Sequence, residues 1–158
     1  MTKIGVLFVC YGNICRSPMA EFVFKDIVKK EGLSDRFIIA SAATSGEHIG
    51  DSPDPRTVEQ LNIHGISCDG KRGRRLVRSD YIDFDYIVGM DKMNLDYIQR
   101  IAPPDHACTI ARLLDFSGGG NIADPYYTGD FATTYVQVQK GCRALLDRIL
   151  TEHPELKG

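Results

Sequence analysis

Cys10 and Arg16 stand near the two ends of Val9-Cys10-Tyr11-Gly12-Asn13-Ile14-Cys15-Arg16-Ser17-Pro18, with five residues between them. A thiol is a weak nucleophile until it ionises. A helix N-terminus or a guanidinium beside it brings a cysteine pKa from about 8.5 down to roughly 3.5–7.5. Arg16 also offers a planar fork that matches two oxygens of a phosphate. Gly12 and Asn13 tolerate left-handed backbone angles, which lets successive N–H groups of the loop turn inward as an anion-binding nest. The Ser17 hydroxyl can donate to a Cys10 thiolate and steady it as a leaving group. A nucleophilic sulfur at the floor of an oxyanion cradle is equipment for phosphoryl transfer to sulfur. Taken singly, Cys10 reads as a buried strand-end cysteine, Arg16 as a surface charge and Gly12 as a turn; the joint spacing argues for chemistry.

Such a loop needs a strand before it and a helix after it. Ile4 to Val9 is apolar and rich in β-branched residues, as a strand buried on both faces must be. Met19 to Lys30 has helical character, with Ser17 as the expected N-cap and Pro18 at the first helical position. The helix start leaves N–H groups unpaired and its dipole positive, which favours an anion there. Further strands are expected at Phe37–Ala42, Phe84–Met90 and, more weakly, Cys108–Leu113. Helices are expected at Pro53–His64 and Lys92–Ile101. A last helix carries Phe131, Tyr135, Val138, Cys142, Leu145 and Ile149 as one apolar stripe capped by Asp130; Cys142 there reads as core. This alternation predicts one α/β domain over residues 1–158, with a four-stranded parallel sheet, helices on both faces and the phosphate-binding loop after the first strand. Ligands of open parallel sheets sit beyond the carboxyl ends of the strands, which is where Cys10 falls.

The run from Val6 to Glu21 resembles the signature of the low-molecular-weight protein tyrosine phosphatases, a C-x-x-x-x-x-R-S loop. The likeness extends through Ser41–Arg56, Phe84–Leu95 and Asp124–Tyr127. It implies metal-independent hydrolysis of phosphotyrosine, without a cofactor, through a phosphocysteine on Cys10. Arg16 and the loop from Tyr11 through Gly12, Asn13, Ile14 and Cys15 to Ser17 would bind the phosphoryl oxygens. In Ala123-Asp124-Pro125-Tyr126-Tyr127, Asp-Pro alone is a turn signal. The resemblance makes Asp124 the general acid that protonates the leaving oxygen and then the base that activates water, with Tyr126 and Tyr127 as one cleft wall. It also puts Ser41 in a hydrogen-bond network that holds Asn13, and gives Cys15 as a partner that traps oxidised Cys10 as a disulfide. The plainer reading of Cys15 is packing under the loop.

The chain departs from the family pattern in two places. Glu47 stands where relatives often carry an aromatic residue that helps set substrate preference; an acid there should disfavour acidic peptides. His48 beside it reads as exposed loop without a catalytic part. Where many relatives have H-x-A-R-Q, this chain reads Asp69-Gly70-Lys71-Arg72-Gly73-Arg74-Arg75, with one extra residue and no histidine, which puts the support of the loop in question. Arg74 is the candidate for the family arginine. The basic run Lys71, Arg72, Arg74, Arg75 and Arg78 reads first as solvated surface, and second as a patch steering acidic phosphopeptides.

Composition narrows the alternatives. The net charge of −2 gives no global attraction to nucleic acid. The N-terminal apolar run is too short for a signal peptide core, and no segment is long enough for membrane insertion, so a cytoplasmic protein is expected. Five cysteines, Cys10, Cys15, Cys68, Cys108 and Cys142, form no C-x-x-C pair, which argues against a disulfide framework or a metal site. The expected partners are phosphotyrosine-containing proteins and phosphate-like oxyanions, with the chain a monomer or weak homodimer. Two rivals share the scaffold. Arsenate reductase needs two further cysteines close together, and protein-arginine phosphatase carries a threonine where Ile14 stands. A phosphate-binding or redox-sensing module without turnover would lack Cys10, Arg16 or Asp124. A nucleotide-binding domain would need G-x-G-x-x-G or a G-K-[ST] ending.

Overall fold

The computed structural model describes residues 2–157. Strand β1, Ile4–Cys10, is buried at every position. It lies between β2, Phe37–Ala43, and β3, Tyr86–Gly89; β4, Thr109–Arg112, completes a sheet of order β2-β1-β3-β4. All three pairings are parallel, with Val9 opposite both Ala42 and Gly89. Side chains alternate across a strand, so β1 supplies two cores at once. Val6, Phe8 and Cys10 face α1, Arg16–Lys30, and α6, Phe131–Glu152. Leu7 and Val9 face a smaller cluster with Tyr81, Phe84, Ile98 and Cys108. Helices therefore cover both faces: α1, α6 and α2, Pro55–Ile63, on one, and α3, Asp80–Asp83, with α4, Lys92–Ile101, on the other. This is the expected four-stranded parallel architecture, and the stripe on α6 is buried at Phe131, Val138, Cys142, Leu145 and Ile149, with Tyr135 partly buried. Among the described residues no helix is long and apolar enough to cross a membrane.

Boundaries shift where side chains find better uses. The first helix starts at Arg16, with Cys15 as its N-cap and no side-chain cap. Ser17 is not the cap: its hydroxyl is turned inward, 3.1 Å from Cys10 Sγ and accepting from Asn13. α2 begins at Pro55, not Pro53, because the Asp54 side chain accepts from Arg56 N at 2.9 Å and caps it. β3 is shorter than its apolar run, since α3 ends at Asp83 and Phe84 leads the chain into the sheet. β4 spans only Thr109–Arg112. Asp130 caps α6, accepting from Thr133 N at 3.0 Å. The short α5, Pro125–Thr128, is capped in turn by Asp124.

Candidate active site

The end of β1 delivers Cys10 to the floor of the loop, 3% exposed. The N–H groups of Asn13 and Ser17 point at its sulfur from 3.3 and 3.4 Å, and the Ser17 hydroxyl lies 3.1 Å away. Three donors converging on one sulfur, at the N-terminus of a 15-residue helix, form an anion-stabilising cradle. Asn13 is the one non-glycine residue with positive φ among those described, at 58°. That conformation costs an ordinary residue roughly 1–2 kcal/mol. The buried Asn13 side chain offsets it: Nδ2 donates to Ser17 Oγ at 2.8 Å and to Ser41 Oγ at 2.9 Å, while Oδ1 accepts from Arg74 N at 3.1 Å.

Arg16, also buried, reaches across the site. Nη1 donates to Asp91 at 2.6 Å and to the Ile122 carbonyl at 2.9 Å; Nη2 lies 3.4 Å from Asp124. Its Nε is buried without a partner among the described residues, a donor left for an oxyanion in the cradle. Burial works against the Arg16 charge, but the Cys10 sulfur and the two carboxylates outweigh it and raise its pKa. Asp91 caps α4, accepting from Asn94 N at 2.8 Å with one oxygen and pairing with Arg16 through the other. Asp124 accepts from Tyr126 N with Oδ1 at 3.1 Å, capping α5, and turns Oδ2 toward Arg16.

A pocket of about 130 Å³ opens above the sulfur. Cys10, Gly12, Ile14 and Cys15 line it together with Tyr11, Glu47, His48, Asp124, Tyr126 and Tyr127. The Tyr11 hydroxyl donates to Glu47 Oε1 at 2.7 Å, and that bond raises its pKa. Tyr126 and Tyr127 meet edge to face at 5.2 Å, and the Arg56 guanidinium sits 4.7 Å over Phe131 and 5.8 Å over Tyr126, bracing the loop that carries Asp124. Cys15 is buried in the loop; burial, then the charge of Asp54, pushes its pKa up to about 12. It is a neutral thiol at ordinary pH.

Two expectations need correction. His48 is not free loop: it lines the pocket, its Nδ1 is 3.0 Å from Asp51, and its ring sits 3.1 Å from where a Cβ on Gly12 would lie. The basic run is not simply solvated surface either. Lys71 is a tenth exposed, with its ammonium 3.3 Å from Glu21 and donating to the Ser41 carbonyl at 3.0 Å. Arg74 grips buried Asp80 with both nitrogens, at 3.1 and 3.0 Å, and its backbone N–H is the one that holds Asn13. The reason is tertiary: residues 73–76 run alongside the end of β2, with Ala43 N donating to Arg74 O and Leu76 N to Ala43 O, each at 2.8 Å. Gly73 packs the segment against the 48–51 turn, where a Cβ would lie 2.3 Å from the His48 carbonyl. Sequence reasoning missed Asp91, Glu21 and the brace formed by Lys71. Asp91 had a signal, an acid at the carboxyl end of the strand beside β1; Glu21 and Lys71 had none, because only packing brings them to Ser41.

The family model for low molecular weight phosphotyrosine protein phosphatase matches residues 5–155. The chain belongs to this phosphatase family. It is 43% identical to the low molecular weight protein-tyrosine-phosphatase YfkJ of Bacillus subtilis over 152 residues, covering 94% of this chain and 97% of that protein. The crystal structure of YfkJ superimposes with a TM-score of 0.91 at 42% identity, over 97% of this chain and 98% of that one. The phosphatase of Schizosaccharomyces pombe is 45% identical over 145 residues, 87% of this chain and 92% of its own. The crystal structure of the drosophila arginine phosphatase DARP superimposes with a TM-score of 0.85 at 35% identity, over 91% of this chain and 96% of that one.

Proposed function

We propose that this phosphatase hydrolyses phosphotyrosine in proteins, with Cys10 as nucleophile, Arg16 as phosphoryl clamp and Asp124 as general acid and base. The observation that carries the reading is the convergence of the Asn13 and Ser17 N–H groups on Cys10 Sγ, with Arg16 and Asp124 at the same pocket. In the first step the Cys10 thiolate attacks phosphorus. The S–P bond forms, the P–O bond to the tyrosine breaks, and the Asp124 carboxyl gives its proton to the departing phenolate. In the second step the Asp124 carboxylate takes a proton from water as the water oxygen attacks phosphorus. The S–P bond breaks, and the thiolate leaves with Ser17 donating to it. Nothing reorganises: the donors already face the sulfur, which is what electrostatic catalysis of phosphoryl transfer requires.

The pocket rim supports an aryl substrate. Tyr11, Tyr126 and Tyr127 flank the entrance and Ile14 presents an apolar side chain inside it. Glu47, held by Tyr11, adds a negative charge that disfavours acidic flanking residues. We assign the protein to the cytoplasm, as a monomer or weak homodimer, with peroxide inactivation reversed through a Cys10–Cys15 disulfide. Peroxide oxidises the Cys10 thiolate to a sulfenic acid; the Cys15 sulfur, losing its proton, displaces water from it. Because the Cys15 thiol is held neutral, closure should be slower than for an exposed thiol. Loss of thiol-reversible recovery in Cys15→Ser is the expected result; equal irreversible loss in wild type removes the redox part.

The test of function is phosphate release from phosphotyrosine, phosphoserine and phosphoarginine with EDTA present. Turnover of phosphotyrosine far above the other two supports the reading. Preference for phosphoarginine would mean that Ile14 does not exclude the phosphorylated guanidino group, and no turnover of any would leave a phosphate-binding module.

A further inference from the structure

Behind the nucleophile lies a chain of polar groups that runs from Cys10 to a lysine on the far side of the loop. Ser17 Oγ accepts from Asn13 Nδ2, and Asn13 Nδ2 also donates to Ser41 Oγ. The Ser41 hydroxyl must then point its own hydrogen elsewhere, and it donates to Glu21 Oε1 at 2.5 Å. Ser41 and Glu21 are both buried, and the same carboxylate oxygen faces the Lys71 ammonium at 3.3 Å. Lys71 closes the chain by donating to the Ser41 carbonyl at 3.0 Å. Lys25 takes the other carboxylate oxygen at 2.7 Å from a more exposed position.

The Asn13 amide nitrogen can only donate, and Arg74 N on its Oδ1 fixes which way the amide faces; Glu21 decides where the Ser41 hydrogen goes. An ionised Glu21 can only accept, so Ser41 donates to it and offers its lone pairs to Asn13. Asn13 spends its amide hydrogens on Ser41 and Ser17, so Ser17 accepts from Asn13 and keeps its hydrogen for Cys10 at 3.1 Å, with the Ala42 carbonyl at 3.4 Å the longer alternative. A buried carboxylate keeps its charge when a cation balances it.

We propose that Lys71 is a positioning residue for the reaction at Cys10: by balancing Glu21 and holding the Ser41 carbonyl it keeps Ser41 where it accepts from Asn13, and so keeps the Asn13 amide where it donates to Ser17 and leaves the Ser17 hydrogen for the sulfur. The inference rests on the reading of Cys10 as nucleophile. It gives the insertion-bearing segment Asp69–Arg75 a task that the basic run alone does not suggest.

The experiment compares wild type, Lys71→Met and Lys71→Arg in two assays: phosphotyrosine turnover, and alkylation of Cys10 by iodoacetate at about pH 6, which reads thiolate without any substrate. Expected for Lys71→Met is a fall in kcat of about tenfold with KM changed by less than about twofold, and a comparable fall in alkylation rate. Lys71→Arg restores most of both. A Lys71→Met protein that melts at lower temperature but keeps wild-type kcat and alkylation overturns the proposal, because a purely structural lysine gives that pattern. Should Lys71→Met fail to fold, Lys71→Gln removes the charge and keeps an N–H donor for the Ser41 carbonyl. Slow alkylation in it supports the proposal and wild-type alkylation overturns it. If wild type turns over no phosphotyrosine while Lys71→Met still slows alkylation, the phosphatase reading fails and the positioning role stands.

Discussion

The loop and its rim are built on opposite principles. Inside, Cys10, Asn13, Arg16, Ser17, Ser41 and Glu21 are all at most 4% exposed, and nearly every polar atom is committed to a partner. At the rim, Tyr11, Tyr126 and Tyr127 are 42%, 49% and 79% exposed, and the Glu47 carboxylate is held by the Tyr11 hydroxyl alone among the described residues. The inner half is over-determined and suits one oxyanion geometry. The outer half is loosely held and is where differences between substrates are felt. Changes inside should therefore reduce turnover of every substrate alike, and changes at the rim should re-rank substrates.

The sharpest separation comes from the proposed nucleophile. Cys10→Ser should lose turnover of all phosphoesters by at least about 10⁴-fold while still binding inorganic phosphate, measured as competitive inhibition of wild type against direct binding calorimetry on the variant. Asp124→Asn comes next, with kcat for phosphotyrosine down by roughly 10²–10⁴-fold. Its deficit should shrink for esters whose leaving groups need no proton, which a series of substituted phenyl phosphates measures. Asn13 tests the strained backbone. Asn13→Gly keeps the 58° φ at low cost and loses the side-chain bonds, whereas Asn13→Ala loses both. Denaturant melts should put the alanine variant about 1 kcal/mol below the glycine variant; equal stabilities would mean the backbone relaxes. Glu47→Lys is the rim counterpart, expected to move kcat/KM by several-fold in favour of acidic over basic phosphopeptides with little change for free phosphotyrosine. The smallest effect is on stability against pH. Arg56 holds the Asp54 carboxyl below the ordinary carboxylate range, so Asp54 contributes stability above about pH 4 and loses it as pH falls through its lowered pKa. Asp54→Asn should flatten the acid side of a Tm-against-pH curve; an unchanged curve would show the pair to be without consequence.

The loop was legible because its residue types are local and demanding. A cysteine, five residues and an arginine between an apolar strand and a helix announce an anion site in any fold. The sheet was legible for a similar reason, since Ile4–Val9 has no polar position and had to be central. What the sequence hid is what depends on distant packing. Nothing in Lys71-Arg72-Gly73-Arg74 marks one charge as a brace, one as surface and one backbone N–H as the anchor of Asn13; their parts are assigned by the approach of residues 73–76 to the end of β2. Ser17 misled for the opposite reason. Its position fits an N-cap, but the sulfur and Asn13 compete for the same hydroxyl and win. Asp91 shows the middle case: the strand rule marks its place, and only the structure reveals that one carboxylate both caps α4 and pins Arg16.

The proposed chemistry requires a covalent intermediate at Cys10. Rapid acid quench of the enzyme during turnover of an aryl phosphate, followed by mass spectrometry of the peptide that carries Cys10 and Cys15, tests it directly. A phosphoryl group on Cys10 in wild type, gone in Cys10→Ser, is the predicted result. Steady turnover with no phosphorylated Cys10 at any quench time, or with the label on another residue, would contradict it.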